Sequence, residues 1–169
     1  MTRTLFTILI SIALGLNIAA QDKVFTASDY LNRELSPKSI TGLSWRTGQD
    51  AFTWIENLSL IQKTVKNPEK ADTILKLETL NSKMKELKQN ELRQFPSISW
   101  IGRDSFYFRV QNRIFLYDMS ASKLTKVNEF DASGENVTLS GRSLSVAWTV
   151  GNNLYVALNG ESIQVNGGE

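Results

Sequence analysis

The chain has 169 residues, 41% hydrophobic and 21% charged, the balance of a globular domain with its own core. A net charge of +2 excludes the electrostatic footprint of a nucleic-acid binder. There is no cysteine and no histidine, which removes disulfides, thiolate chemistry, the usual general base of a hydrolase and the commonest metal ligand; no catalytic residue, metal ligand or cofactor pattern is left to name.

Residues 1–20 read as a secretory signal peptide. Arg3 gives the positive start, residues 5–16 the apolar stretch, and Asn17-Ile18-Ala19-Ala20 ends in small residues suited to cleavage before Gln21. The apolar stretch is too short to cross a hydrocarbon core of about 30 Å as a helix. The mature chain, 21–169, is therefore expected in the periplasm or outside the cell.

Residues 26–35 predict a short helix, with Thr26 or Ser28 as cap, Tyr30, Leu31 and Leu35 on one face, and Ser36-Pro37 as its stop. Residues 43–55 place a polar turn between two apolar runs, which predicts a hairpin. Its Trp45, Phe52 and Trp54 alternate as strand aromatics do in a core. Residues 57–71 are polar and show no period, so they read as irregular. Thr73-Ile74-Leu75-Lys76-Leu77 reads as a strand. Leu77, Leu80, Met84 and Leu87 then fall at helical spacing, with Thr79 or Asn81 as candidate caps and mixed charges on the outer face.

The stretch 98–157 holds one pattern twice. Ile98-Ser99-Trp100 and Ser105-Phe106-Tyr107-Phe108 lead to Gln111-Asn112 and Ile114-Phe115-Leu116-Tyr117. Leu139-Ser140-Gly141 and Ser145-Val146-Ala147-Trp148 lead to Gly151-Asn152 and Leu154-Tyr155-Val156-Ala157. Asn112 and Asn152 are 40 residues apart, as are Phe106 and Val146. Residues 43–55 are an earlier copy, with Asp50 in the place of Asp104 and Phe52 in that of Phe106. A strand repeat of this length is the mark of a propeller blade. Residues 124–130 and 163–165 supply further strands, and 131–136 is turn-rich. The expected class is all-β with two short helices, an incomplete β-propeller of about three blades. Three blades do not close a ring that needs about four to eight. The chain is thus expected to be part of a longer protein or to assemble in copies. Each terminal blade should then bare an apolar face, with Val146, Trp148, Leu154 and Val156 at the open end.

Residues 25–54 and 95–165 also resemble a known family. Tyr30-Leu31-Asn32-Arg33-Glu34-Leu35, Leu43-Ser44-Trp45-Arg46, Phe95-Pro96-Ser97-Ile98-Ser99-Trp100, and Trp148-Thr149-Val150-Gly151-Asn152-Asn153-Leu154-Tyr155-Val156-Ala157 carry the likeness. In this order, behind a signal peptide, they resemble the N-terminal region of secreted bacterial dipeptidyl peptidase IV-like proteins, in the prolyl oligopeptidase group of serine peptidases. The resemblance implies an eight-bladed propeller that gates a cavity, followed by an α/β-hydrolase domain. That domain would release N-terminal Xaa-Pro or Xaa-Ala dipeptides by acyl transfer through Ser, His and Asp. The implied partners are the downstream blades, the hydrolase domain, a peptide substrate and a second copy of the parent; neither nucleic acid nor a stable membrane span is implied.

None of the catalytic machinery is in these 169 residues. Ser140-Gly141 and Ser133-Gly134 lack the preceding Gly-x of a nucleophile elbow, and no histidine serves any serine. Arg109 and Arg113 lie within a tight hairpin and receive no substrate role. The competing expectation is a non-catalytic propeller module that binds glycan or protein through Trp45, Trp54, Trp100 and Trp148.

Overall fold

The structure is a computed structural model that describes residues 26–31 and 39–166. The predicted signal peptide and the later part of the first predicted helix lie outside the described residues. That helix, α1 (Ala27–Leu31), is closed at its start by a reciprocal pair of bonds. The Asp29 N–H donates to Thr26 Oγ1 at 3.2 Å, and the Thr26 N–H donates to the Asp29 carboxylate at 3.0 Å. Thr26, and not Ser28, is the cap.

From Ile40 onward the chain forms one compact unit. Among the described residues its strands make three four-stranded antiparallel sheets, each pairing strands in sequence order. The first sheet holds β1 (Thr41–Trp45), β2 (Ala51–Glu56), β3 (Ser59–Thr64) and β4 (Asn67–Lys76). The second holds β5 (Ile98–Trp100), β6 (Ser105–Val110), β7 (Arg113–Asp118) and β8 (Lys123–Glu129). The third holds β9 (Glu135–Leu139), β10 (Val146–Val150), β11 (Asn153–Leu158) and β12 (Glu161–Gln164). Sequential meanders stacked face to face are the arrangement of successive propeller blades, and the sheets are called blades 1 to 3 below.

The sequence copies mark the first two strands of each blade. Trp45 pairs with Phe52, Trp100 with Phe106 and Leu139 with Val146. The turn between those strands closes on the same backbone bond each time. Arg46 N donates to Ala51 O, Ile101 N to Ser105 O and Ser140 N to Ser145 O, all at 2.9 Å. The repeated asparagines hold the far ends of blades 2 and 3. Asn112 donates its side-chain amide to Phe130 O at 2.6 Å, and the Asn152 carbonyl accepts from the Asn166 amide at 2.8 Å.

Residues 57–71, expected to be irregular, are the turn into β3, all of β3 and half of β4. An outer strand of a blade faces water on much of its surface, so it keeps no alternating apolar signal. Only Leu60 and Leu75 of these two strands are buried. The predicted second helix is α2 (Leu77–Glu86), with Leu77, Leu80 and Met84 inward. Neither Thr79 nor Asn81 caps it. It starts straight from β4 at Lys76, and the Leu77 N–H donates to Leu58 O at 2.9 Å across the hairpin tip. Asn81 instead ties the following loop, its side chain exchanging two bonds with the Leu92 backbone.

Two cores result, and each lies between blades. Leu60 and Leu75 of blade 1 pack with Phe106, Phe108, Phe115 and Tyr117 of blade 2 and with the inward face of α2. Ile114 of blade 2 and Phe130 pack with Val146, Trp148 and Ala157 of blade 3. The expectation that Val146 and Trp148 face the open end is therefore wrong for both. They are buried at 0% and 3% exposure against blade 2, because alternation turns them inward while Leu154 turns outward. No helix among the described residues is long and apolar enough to cross a membrane.

Candidate functional site

Polar side chains that sequence reading did not single out fasten the blades. Arg46 leaves the first turn of blade 1 and crosses to blade 2. It donates to Asp104 Oδ1 at 2.9 Å and to Arg103 O at 3.1 Å, contacts Gln62, and lies 4.7 Å from the centre of the Trp100 ring. Burial pulls the Arg46 guanidinium below its ordinary value, and the Asp104 carboxylate opposes that pull. Beside it the Trp100 indole N–H donates to Thr53 Oγ1 at 3.0 Å, fully inside the joint. Between blades 2 and 3 the fastener is Asn128, 2% exposed. Its amide donates to Leu144 O at 2.6 Å, and its carbonyl accepts the Gly160 N–H at 2.8 Å. Burying a polar group is costly unless it is paired in this way.

The serines next to glycine in the sequence lie in turns. Ser133 donates its hydroxyl to Asp131 at 2.6 Å, and Ser140, Ser143 and Ser145 bond to one another in an exposed turn. Arg109 stacks on Phe130, 4.7 Å from the ring centre, and Arg113 pairs with Glu129 at 2.8 Å. Both arginines thus serve blade packing. Among the described residues, no group of three or more candidate ligands is placed to hold a metal ion. A hollow of about 540 Å³ beside the start of α2 is open and lined by both signs of charge, Lys76, Lys85, Glu78 and Glu91 among them. It holds no buried unpaired group to grip a ligand.

Among the described residues, an apolar concavity lies on the face of blade 1 turned away from blade 2. Ile40, Leu43, Trp45 and Phe52 line a groove of about 400 Å³. Trp45 is 66% exposed, although its place in the repeat predicts a core residue. Of the four tryptophans, Trp100 and Trp148 are buried, so they offer no ligand surface.

No family model and no curated protein sequence matches the chain. The solved structure of a Bacteroides ovatus protein described as a dipeptidyl aminopeptidase IV is similar over 74% of this chain, with TM-score 0.62 and 21% identity. The chain covers 17% of that protein's length. Porphyromonas gingivalis dipeptidyl peptidase 4 aligns over 86% of this chain and 22% of its own length, at TM-score 0.45 and 14% identity, a likeness too distant to bear on the fold. The resemblance read from the sequence is thus met at the level of fold: the stacked blades are those of a stretch of the Bacteroides protein.

Proposed function

We propose that residues 21–169 supply three consecutive propeller blades to an exported serine exopeptidase that releases Xaa-Pro or Xaa-Ala dipeptides, with residues 1–20 removed on export. The hydrolase domain and further blades, eight in all, would come from sequence beyond these 169 residues, and the propeller would gate access to the catalytic cavity. The observation that carries this reading is the shared fold with a stretch of the Bacteroides protein, of which this chain covers only 17%. The inter-blade fasteners support it, since they lock successive blades into a scaffold.

The test is to read the gene past the codon for Glu169 and assay the longer product. A continuation carrying Gly-x-Ser-x-Gly, with Ala-Pro cleavage abolished by a serine-directed phosphonate, is the expected result. A stop codon with no such continuation in the genome would sink the reading. Export has its own test: the secreted product's intact mass should begin at Gln21. A glycan- or protein-binding module is the weaker reading, because half of the tryptophans that suggested it are buried in the joints.

A further inference from the structure

The turn from β11 to β12 is made by Asn159 and Gly160, between the paired Leu158 and Glu161. Both have positive φ, 52° and 86°, the backbone of a tight hairpin turn that favours this pair of residues. The same pair is chemically fragile. Asparagine is among the thermolabile residues, and a following glycine puts no side chain in the way of the ring that the two can form. Asn159 is exposed, so water reaches its amide.

The nitrogen that would react is held by the neighbouring blade. The Gly160 N–H donates to Asn128 Oδ1 at 2.8 Å. Asn128 lies on β8 and is buried, and its own amide donates to Leu144 O at 2.6 Å, which fixes its orientation. The turn sits close against β8, since a Cβ on Gly160 would lie 3.9 Å from Val127 O. The sequence has one other Asn-Gly pair, Asn166-Gly167. Asn166 is tied within its own blade instead, donating to Asn152 O at 2.8 Å and accepting the Leu154 N–H.

We infer that Asn159 is a site of self-modification that the joint between blades 2 and 3 keeps shut, with Asn128 as its guard. When the joint opens, the Gly160 nitrogen gives up its proton and attacks the side-chain carbonyl carbon of Asn159. The new C–N bond closes a succinimide, the Cγ–Nδ2 bond breaks, and ammonia leaves with that proton. Water then opens the ring at either carbonyl and leaves aspartate or isoaspartate. Either product adds a carboxylate near Glu161, and isoaspartate also adds a backbone carbon to a turn with room only for Asn159 and Gly160. The blade then does not close as before, so the residue keeps a permanent record that the joint has opened. Nothing in this depends on a peptidase, and it goes beyond that reading.

The experiment incubates the purified chain at neutral pH and follows both Asn-Gly pairs by peptide mapping and mass. Wild type, wild type unfolded in urea, and Asn128→Ala are compared. The folded wild type should lose Asn159 more slowly than the unfolded chain does. Asn128→Ala should lose it about two- to tenfold faster than the folded wild type, the factor that one hydrogen bond of ordinary net strength is worth, with Asn166 unchanged. Equal rates in the folded and unfolded wild type overturn the inference. So does an unchanged Asn159 in the variant, or a parallel rise at Asn166 in a variant that still folds. A variant that fails to fold leaves the decision to deuterium exchange in the wild type. A Gly160 amide that exchanges as fast folded as unfolded overturns the inference, and a slow one supports it.

Discussion

Thr53 accepts the Trp100 N–H in a place water does not reach, and its own hydroxyl donates to Ser44 O at 3.4 Å. Thr53→Val keeps the shape and strands the indole donor. Leaving a buried donor unpaired costs about 1–3 kcal/mol, so the thermal midpoint should drop, and Thr53→Ser should recover most of it. An unchanged midpoint would show that blades 1 and 2 do not depend on this bond. The carboxylates set the pH response. Ser120 lowers Asp118, Ser133 lowers Asp131, and Lys126 with Arg113 lowers Glu129, each from the ordinary 3.8 or 4.5. A value lowered in the fold means that the unfolded chain binds the proton more readily. The stabilisation is complete above the ordinary values and is lost as pH falls through the lowered ones. With no histidine, stability should be flat between about pH 5 and 8 and decline only in acid. Melts across that range check it, and a step near neutral pH would contradict it.

Strands and turns were legible where they alternate and repeat. The copies built on Trp45, Trp100 and Leu139 fixed the first two strands of every blade, and helical spacing found α2. Strand β3 and the first half of β4 were not legible, because the half-buried β3 and the exposed start of β4 show no apolar period, whereas the second half of β4 was read as the strand 73–77. Arg46, Thr53 and Asn128 were invisible for another reason. Each occurs once, and its value depends on which sheet stacks above it. The turn from β2 to β3 makes a testable case. Asn57 and Leu58 both have positive φ, 47° and 57°, and the second place suits glycine far better than leucine. Leu58 is 55% exposed, so Leu58→Gly removes backbone strain and loses little packing. It should raise stability by roughly 1 kcal/mol, read as a shift of the urea midpoint; a lower midpoint would mean that the Leu58 side chain contributes more than its exposure suggests. Gly134, on the link between blades 2 and 3, is the opposite case. A Cβ there would lie 2.7 Å from the Trp148 ring and 2.9 Å from Asp131 O. Gly134→Ala should cost about 1–3 kcal/mol and shift Trp148 emission, and an unshifted spectrum would refute the contact.

At the scale of the whole molecule, there is no histidine to act as the base for a serine, and a hydroxyl without one is a poor nucleophile near pH 7. The chain by itself should leave Gly-Pro and Ala-Pro chromogenic substrates untouched; turnover above buffer that a serine-directed phosphonate abolishes would contradict this. The order of the strands has a further consequence. Every ladder joins neighbours in sequence, and between blades 2 and 3 much of the polar grip passes through Asn128. A whole sheet can therefore be gained or lost at the 131–134 link without cutting any ladder. Duplicating residues 131–166 would add a sheet and re-create the bared Leu154 surface one step further on. Lineages carrying this pattern should differ in length by entire sheets, and the links between sheets are where ancestral copying would leave its seams.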